Sequence, residues 1–152
     1  MTELVDPATT ALSLGRIGRT TLVAAVISAL ANVALGAALR SGLAIDPVFA
    51  PLGPASIVVF TVALTLVGGA VFAVIARRRP TDAVRRFTIV AVVAAVVSLV
   101  APLSLLGATQ TQWPGVSTVA ALALMPLHVV AAIALVVSIR RSFRVRVERR
   151  GS

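Results

Sequence analysis

Five polar side chains interrupt the long apolar stretches of this chain, and their chemistry is the first thing to explain. They are Asn32, Thr61, Thr65, Ser98 and His128. His128 is the only histidine, and its ring can donate or accept a hydrogen bond, bind a metal ion or take up a proton. Polar groups inside a membrane either bond neighbouring helices to each other or belong to a functional site. We predict that these five side chains form one polar cluster.

Three roles are open to His128. It can donate a hydrogen bond to Asn32 or to a free backbone carbonyl and so hold two helices together, which is the role we place first. It can respond to protons or bind a ligand, because an ionisable residue inside a membrane commonly marks a functional site. It can also ligate a metal ion or haem, but a single histidine supplies one ligand where three or four are usual.

The sequence offers no set of residues for catalysis. It contains no cysteine, which excludes disulfides, thiolate metal sites and iron–sulfur clusters. It has no HExxH motif, no glycine-rich phosphate loop, and no Ser, His and Asp that could meet at one depth. No Asp or Glu lies within the apolar stretches, so the carboxylate of a small proton-driven exporter is missing too. We expect a protein that is not an enzyme and holds no cofactor or metal.

The distribution of charge places the polar cluster within a membrane. Of the 152 residues, 59% are hydrophobic and 12% are charged, and that charged share is about half that of a soluble domain. No charged residue lies in the 20 residues after Arg19, the 30 after Asp46 or the 53 after Arg86. A helix crosses the hydrocarbon layer in about 20 residues. The first two stretches therefore hold one span each, and the third holds two, divided by the polar residues 110–115.

We predict an all-α integral membrane protein, an antiparallel bundle of four transmembrane helices with both termini cytoplasmic. The predicted spans cover residues 20–40, 55–76, 87–106 and 117–139. The corresponding regions are a cytoplasmic N-terminal segment (1–19), the four-span bundle (20–139) and an arginine-rich cytoplasmic tail (140–152). Connections of roughly 10 to 14 residues place consecutive spans beside each other.

The N-terminal residues allow alternatives. Arg16 and Arg19 before an apolar run also fit a signal peptide, but the run continues to Leu39, past the small residues that could be cleaved. Residues 1–15 are compatible either with a short helix at the membrane surface, begun by Asp6 and Pro7, or with disorder.

The orientation follows from the arginines, which are the only basic side chains apart from His128. Thirteen of the 14 lie in the N-terminal tail, the 77–86 loop and the C-terminal tail, and Arg40 alone lies on the other side. Cytoplasmic loops of membrane proteins retain the excess of basic residues. We therefore expect a multi-pass protein of the cytoplasmic membrane with these three segments inside the cell.

Small and polar residues recur at helical spacing along each span, which indicates the faces that pack against other helices. Span one carries Thr20, Ala24, Ser28, Asn32 and Gly36, and span two carries Thr61, Thr65, Gly69 and Ala73. Span three offers Ala94, Ser98 and Pro102, and span four offers Ala121, Met125, His128 and Ala132.

Two prolines add free backbone acceptors to the polar cluster. Pro102 cannot donate to the carbonyl of Ser98, and Pro126 cannot donate to that of Leu122.

Several of these features together resemble a family of small four-helix actinobacterial membrane proteins that is classed only as a domain of unknown function. They are Asn32, the Pro51–Pro54 segment before a span with Thr61, the arginine-rich loop, Ser98 with Pro102, and Met125 followed by His128. The resemblance covers residues 16–140. It implies a four-span bundle and no particular activity.

The C-terminal tail has six arginines and one glutamate between residues 140 and 150. It can act as a positive-inside anchor, or it can dock onto anionic headgroups through Arg140, Arg141, Arg144 and Arg146. Phe143 is its only aromatic residue, so we expect no binding to nucleic acid. The expected partners are membrane lipids, anionic on the cytoplasmic face, together with further copies of the chain or other membrane proteins.

Two functions from different classes follow. The first is a non-enzymatic scaffold or accessory subunit of a membrane assembly, favoured by the missing intramembrane carboxylates and by the absence of charge that could line a pore. The alternative is a small oligomeric transporter or channel that uses the polar cluster around His128, favoured by the free carbonyls before Pro102 and Pro126.

The predicted orientation can be tested in a chain that has no native cysteine. Single cysteines at Ser41 and Gln112 should react with an impermeant thiol reagent added outside cells, whereas cysteines at Thr81 and Ser142 should not. The reversed pattern contradicts the orientation.

Overall fold

Capping residues and prolines decide where the helices of this chain begin. In the computed structural model, which describes residues 13–144, the α-helices are α1 (Leu14–Gly42), α2 (Pro54–Arg78), α3 (Ala83–Ser98), α4 (Val100–Ser104), α5 (Thr118–Ala123) and α6 (Met125–Arg144), with 3-10 turns at Ala50–Leu52, Pro80–Asp82 and Leu105–Gly107. The Ser13 hydroxyl accepts from the N–H of Arg16 at the start of α1. The Ser117 hydroxyl accepts from the N–H of Ala120 at the start of α5.

These helices form four membrane spans. Span one is α1, span two is α2, span three consists of α3 and α4, and span four consists of α5 and α6. Each span is long and apolar enough to cross a membrane. Residues 13–144 contain no strand, so the predicted all-α fold with four spans is confirmed.

The helices extend beyond the apolar stretches from which the spans were predicted. α1 begins six residues before the predicted span, and α6 continues to Arg144, five residues into the predicted tail. The predicted surface helix at Asp6 and Pro7, and Arg146 in the tail, lie outside the described residues.

Spans three and four are each interrupted once. The α-helical pattern breaks at Leu99 between α3 and α4 and at Leu124 between α5 and α6. Each break lies just before Pro102 or Pro126. Because a proline has no N–H and its ring crowds the preceding turn, the helix cannot run through these positions with its usual hydrogen bonds.

One end of the bundle collects the described arginines other than Arg40, and we call it the arginine-rich end. Its core is aromatic: the Phe72 ring packs edge-to-face on Phe87 with centroids 5.3 Å apart, and its centroid lies 5.2 Å from that of Phe143. The Arg16 guanidinium lies 5.2 Å from the Phe143 centroid and also donates to the carbonyl of Ser142. These contacts join spans two, three and four to the start of span one.

The opposite, arginine-poor end is closed by the connections 43–53 and 108–117. Gly115 has a φ of +76° and lies so close to Phe49 that an added Cβ would be 2.8 Å from the Phe49 nitrogen. Phe49 is fully buried and packs in a cluster with Ile45 and Val116. Arg40 donates to the carbonyl of Phe49 at 3.3 Å, which fastens the first connection to span one.

Spans one and two pack closely through their predicted small-residue faces. Gly69 lies against Thr21 and Gly36 lies against Ile57. In α1, Ala24, Ser28, Asn32 and Gly36 are buried, and in α2, Thr61, Thr65 and Gly69 are buried. Glycine permits this approach because it has no side chain to separate the helices.

Span three does not follow this pattern. Only 6% of its most apolar stretch is buried, against 28–33% in the other spans. Ala94, which the spacing places on a packing face, is exposed, and that prediction is wrong. Only the part of span three near Phe87 and the part near Pro102 are buried, so the helix contacts the bundle near its two ends.

The contact between Gly69 and Thr21 generates a prediction. In Gly69→Ala, the added methyl group would overlap the short, β-branched Thr21 side chain, which should lower the free energy of unfolding by about 1–3 kcal/mol. Gly18→Ala is the matched control, because nothing lies within 4 Å of a Cβ at this helical position. The control should be neutral or more stable by up to about 1 kcal/mol, since alanine favours helix. Equal melting temperatures for the two variants in detergent would show that spans one and two do not meet at Gly69.

Candidate functional site

Asn32 connects three of the four spans. Its side-chain amide donates one hydrogen bond to the Thr61 hydroxyl of α2 at 3.1 Å and one to the backbone carbonyl of Leu127 in α6 at 3.0 Å. The side chain is only 1% exposed. Both amide hydrogens are therefore used to hold spans two and four against span one.

The carbonyl oxygen of the same side chain is an unused acceptor. Oδ1 of Asn32 is buried and has no hydrogen-bond partner in the described part of the chain, as is also true of the Ser28 hydroxyl oxygen. A buried acceptor without a donor costs about 1–3 kcal/mol. The polar centre thus has spare accepting capacity.

His128 does not make the hydrogen bond between helices that we expected. Its Nδ1 lies 2.9 Å from the carbonyl oxygen of Leu124, one turn earlier in span four. A carbonyl can only accept, so Nδ1 carries a proton, and in this tautomer Nε2 is the ring nitrogen that can accept. The role of joining helices belongs to Asn32, and His128 is half-buried beside it.

The other predicted cluster members also bond within their own helices. The Thr65 hydroxyl donates to the carbonyl of Thr61 at 2.7 Å, and the Ser98 hydroxyl donates to that of Ala95 at 2.7 Å. Thr65 is buried between spans and does not line the cavity described next. Four of the five predicted residues are thus brought together, and Thr65 is not.

A cavity of about 580 Å³ lies beside Asn32 and is partly open at the surface of the bundle, where Phe60 and Leu64 are exposed. It extends from the middle of the bundle to the connections at the arginine-poor end. Span two forms one side of it, span three another and span four a third. Its lining includes Asn32, Ser56, Phe60, Thr61, Leu64, Ser98, Pro102, Ser104, Leu105, Trp113, Leu127 and His128. None of its lining residues is Asp, Glu or Arg.

Three of the polar groups lie at one depth. Counted at 1.5 Å per residue, Asn32 is about 15 Å from Gly42 and His128 about 15 Å from Thr118, where their spans end. Ser98 is about 14 Å from Gly107, the end of the third membrane-crossing segment when its last 3-10 turn is included. Both helix interruptions, at Leu99 and Leu124, adjoin this level. The cavity thus has a polar inner end near the middle of the membrane and a largely apolar wall toward the arginine-poor end.

Sequence reasoning missed two contributors to this site. The Leu127 carbonyl that accepts from Asn32 is a main-chain group, so no residue type reveals it. Trp113 lines the cavity although it belongs to a connection, and its 44% exposure fits the preference of tryptophan for membrane interfaces. That preference was the one signal available in the sequence.

A second cavity, of about 590 Å³, lies at the arginine-rich end. Arg140, one of the predicted lipid contacts, lines it together with Arg85, Thr81 and Thr88, and its Nε donates to the Thr88 hydroxyl at 3.3 Å. Arg141, the next residue in the sequence, is exposed and does not line the cavity. Arg144 ends α6.

The part of the chain that the structure describes has no set of side chains that could bind a metal ion. Residues 13–144 contain no group of three or more His, Asp or Glu side chains placed to hold an ion. What the site offers is neutral hydrogen bonding in an apolar cavity.

The four spans and their central cavity define a multi-pass membrane protein. The chain belongs to the family of unknown function DUF6069, which matches residues 12–145. The resemblance to a family of small four-helix membrane proteins without an assigned activity is thereby confirmed. No curated protein and no solved structure matches the chain.

The two hydrogen bonds of Asn32 yield a prediction that separates it from His128. Asn32→Leu removes both bonds between spans and should lower the free energy of unfolding in detergent by about 1–2 kcal/mol. His128→Leu removes a bond within one helix and should cost clearly less, and His128→Asn serves as the conservative control. If His128→Leu proves as destabilising as Asn32→Leu, His128 and not Asn32 holds the spans together.

Proposed function

We propose that the protein is a small transporter that takes a molecule into the cavity beside Asn32 and passes it across the membrane. The observation that carries this proposal is the polar inner end of the cavity, where Nε2 of His128 has no hydrogen-bond partner among residues 13–144 and lies next to two interrupted helices. An acceptor that faces a cavity and has no partner in the described part of the chain is available to bind a ligand there.

The interrupted spans support transport in particular. Many transporters bind substrate near the middle of the membrane, where broken helices present free backbone groups. Here Pro102 lines the cavity and leaves the Ser98 carbonyl without its usual donor. The break at Leu124 adjoins the carbonyl that holds His128. Both breaks can act as hinges, because their residues already lack continuous helical hydrogen bonding.

The cavity lies within a single copy of the chain, so the proposed path does not require the oligomer that we expected for a transporter. Span three packs on the bundle near Phe87 and near Pro102, and its middle is exposed. A small movement of α4 relative to α2 would widen the cavity without breaking the Asn32 bonds. An ion channel is disfavoured, because no charged side chain lines the cavity.

We also propose that the protein is not an enzyme. The cavity contains no carboxylate and no thiol, and the only ionisable side chain that lines it is His128. The lining offers no second ionisable group to pair with His128 as acid and base. The Ser98 hydroxyl, the candidate nucleophile beside His128, donates its hydrogen to the Ala95 carbonyl instead.

A scaffold or accessory subunit is the second candidate. The exposure of span three favours it, because Val93, Val96, Val97 and Val100 form an apolar surface that the rest of the bundle does not cover. In a membrane assembly, this surface would meet helices of another protein or of a second copy.

We also propose which membrane contains the protein and how the protein is oriented in it. The arginine-rich end would face the cytoplasm, in the cytoplasmic membrane, according to the distribution of basic residues. Arg85 and Arg140 around the second cavity would contact anionic headgroups, each contributing about 1 kcal/mol near the surface.

Access to the cavity distinguishes the two candidates. A Ser98→Cys variant, with no other thiol in the chain, is exposed to a small impermeant thiol reagent in right-side-out and inside-out vesicles. Transport predicts modification from both sides, because the cavity must open to each in turn. Thr65→Cys is the control, since Thr65 is buried outside the cavity, and it should react from neither side.

The remaining outcomes decide against transport. Modification of Ser98→Cys from neither side favours the accessory subunit. Modification from the arginine-poor side alone shows binding without passage and contradicts the proposal.

A further inference from the structure

We propose that the cavity selects an uncharged, largely apolar molecule that bears a hydroxyl group, and that this hydroxyl binds at the inner end between Ser98 and His128. The inference rests on the uptake step of the proposed function and adds the chemical class of the ligand.

The inner end of the cavity offers hydrogen-bond acceptors. The Ser98 hydroxyl has used its hydrogen on the carbonyl of Ala95, so its oxygen can only accept from a ligand. Nε2 of His128 is an acceptor because Nδ1 carries the ring proton. The Ser98 carbonyl, which Pro102 cannot satisfy, is a third acceptor. A ligand that reaches this level must therefore bring a donor.

Asn32 strengthens this acceptor character. Both hydrogens of its amide are committed to Thr61 and to the Leu127 carbonyl, and Oδ1 has no partner in the described part of the chain. The amide therefore has no hydrogen left to donate to a carboxylate or phosphate. Among the side chains that can donate, Ser56 and Trp113 line the cavity near the arginine-poor end. Thr61 lies beside Asn32 and keeps its hydroxyl hydrogen, to which the oxygen of a ligand hydroxyl can bind.

The absence of charge in the lining favours a neutral ligand. No arginine lines the cavity to pair with an anion, and no Asp or Glu lines it to pair with a cation. An unpaired charge near the middle of a membrane is costly. A hydroxyl group satisfies the acceptors and brings no charge.

The rest of the lining accommodates an apolar body. Phe60, Leu64, Leu105 and Leu127 contribute to a mostly apolar wall, and the cavity volume of about 580 Å³ lies within the range for pockets that hold small molecules. The hydroxyl would lie deep and the apolar body would point toward Trp113. This orientation differs from that of a phospholipid, whose polar end stays at the membrane surface.

Trp113 supplies a direct readout, because it is the only tryptophan and the chain has no tyrosine. The full-length protein in nanodiscs is titrated with 10-bromodecan-1-ol, 1-bromodecane, 10-bromodecanoic acid or 10-bromodecylamine, whose bromine quenches nearby tryptophan fluorescence. Excess unbrominated decan-1-ol reveals the part of the quenching that reflects a saturable site. The alcohol should quench at a concentration at least tenfold below that of 1-bromodecane, as expected for one retained hydrogen bond, and below both charged probes.

Two variants test whether the hydroxyl group of the ligand binds between Ser98 and His128. Ser98→Ala and His128→Leu should each raise the half-quenching concentration of the bromo-alcohol and leave that of 1-bromodecane unchanged. Thr65→Val is the control, because its hydroxyl bonds within α2 away from the cavity, and it should not change either value. The comparison among probes on the unaltered protein stands even if one variant does not fold.

Three results of the quenching experiment would contradict the inference. Equal quenching by the alcohol and 1-bromodecane shows that the acceptors select nothing, and stronger quenching by the amine or the acid shows a charged ligand. Either result overturns this inference, while modification of Ser98→Cys from both sides would leave the transporter proposal standing. If decan-1-ol reverses none of the quenching, no probe occupies a saturable site. That result contradicts the binding of any such amphiphile in the cavity.

Discussion

The architecture depends on the amide of Asn32, whose two hydrogens fasten span two and span four to span one. Within a membrane the apolar residues of neighbouring helices gain little by leaving lipid, so close packing and hydrogen bonds decide which helices associate. The amide bonds to the Thr61 hydroxyl and the Leu127 carbonyl near the middle of the membrane. Glycines on both sides of it, at Gly36 and Gly69, let the helix backbones approach close enough for the bonds to form.

The same arrangement explains why the bundle is open on one side. Span three receives no hydrogen bond from Asn32 and is fixed near its two ends, by Phe87 in the aromatic core and by Pro102. Its middle is exposed, and the part that follows, from Ser98 to Leu105, lines the cavity, where the helix breaks before Pro102. Asn32, Ser98 and His128 line the cavity there. Strong bonding among three spans and weak attachment of the fourth together produce a site.

The sequence predicted the four spans because charge and apolarity report membrane depth directly, and it predicted the buried faces of spans one and two because small residues recur every four positions. It failed at Ala94, where alanine also suits a lipid-facing surface. It placed Asn32, Thr61, Ser98 and His128 at one site, but it assigned the contact between helices to His128. The true acceptor is the main-chain carbonyl of Leu127, whose position depends on helix rotation and not on residue type.

The cavity could not be predicted, since its volume depends on how far apart the helices lie.

The coupling between Asn32 and Thr61 tests the central claim most directly. The free energy of unfolding in detergent is measured for the unaltered chain, Asn32→Leu, Thr61→Val and the double variant, and the cycle isolates the energy that belongs to the pair. The account predicts a favourable coupling of about 0.6 to 1.7 kcal/mol, between the average and the largest coupling measured for hydrogen bonds between membrane helices. Additive losses, with no coupling between the two positions, would contradict it.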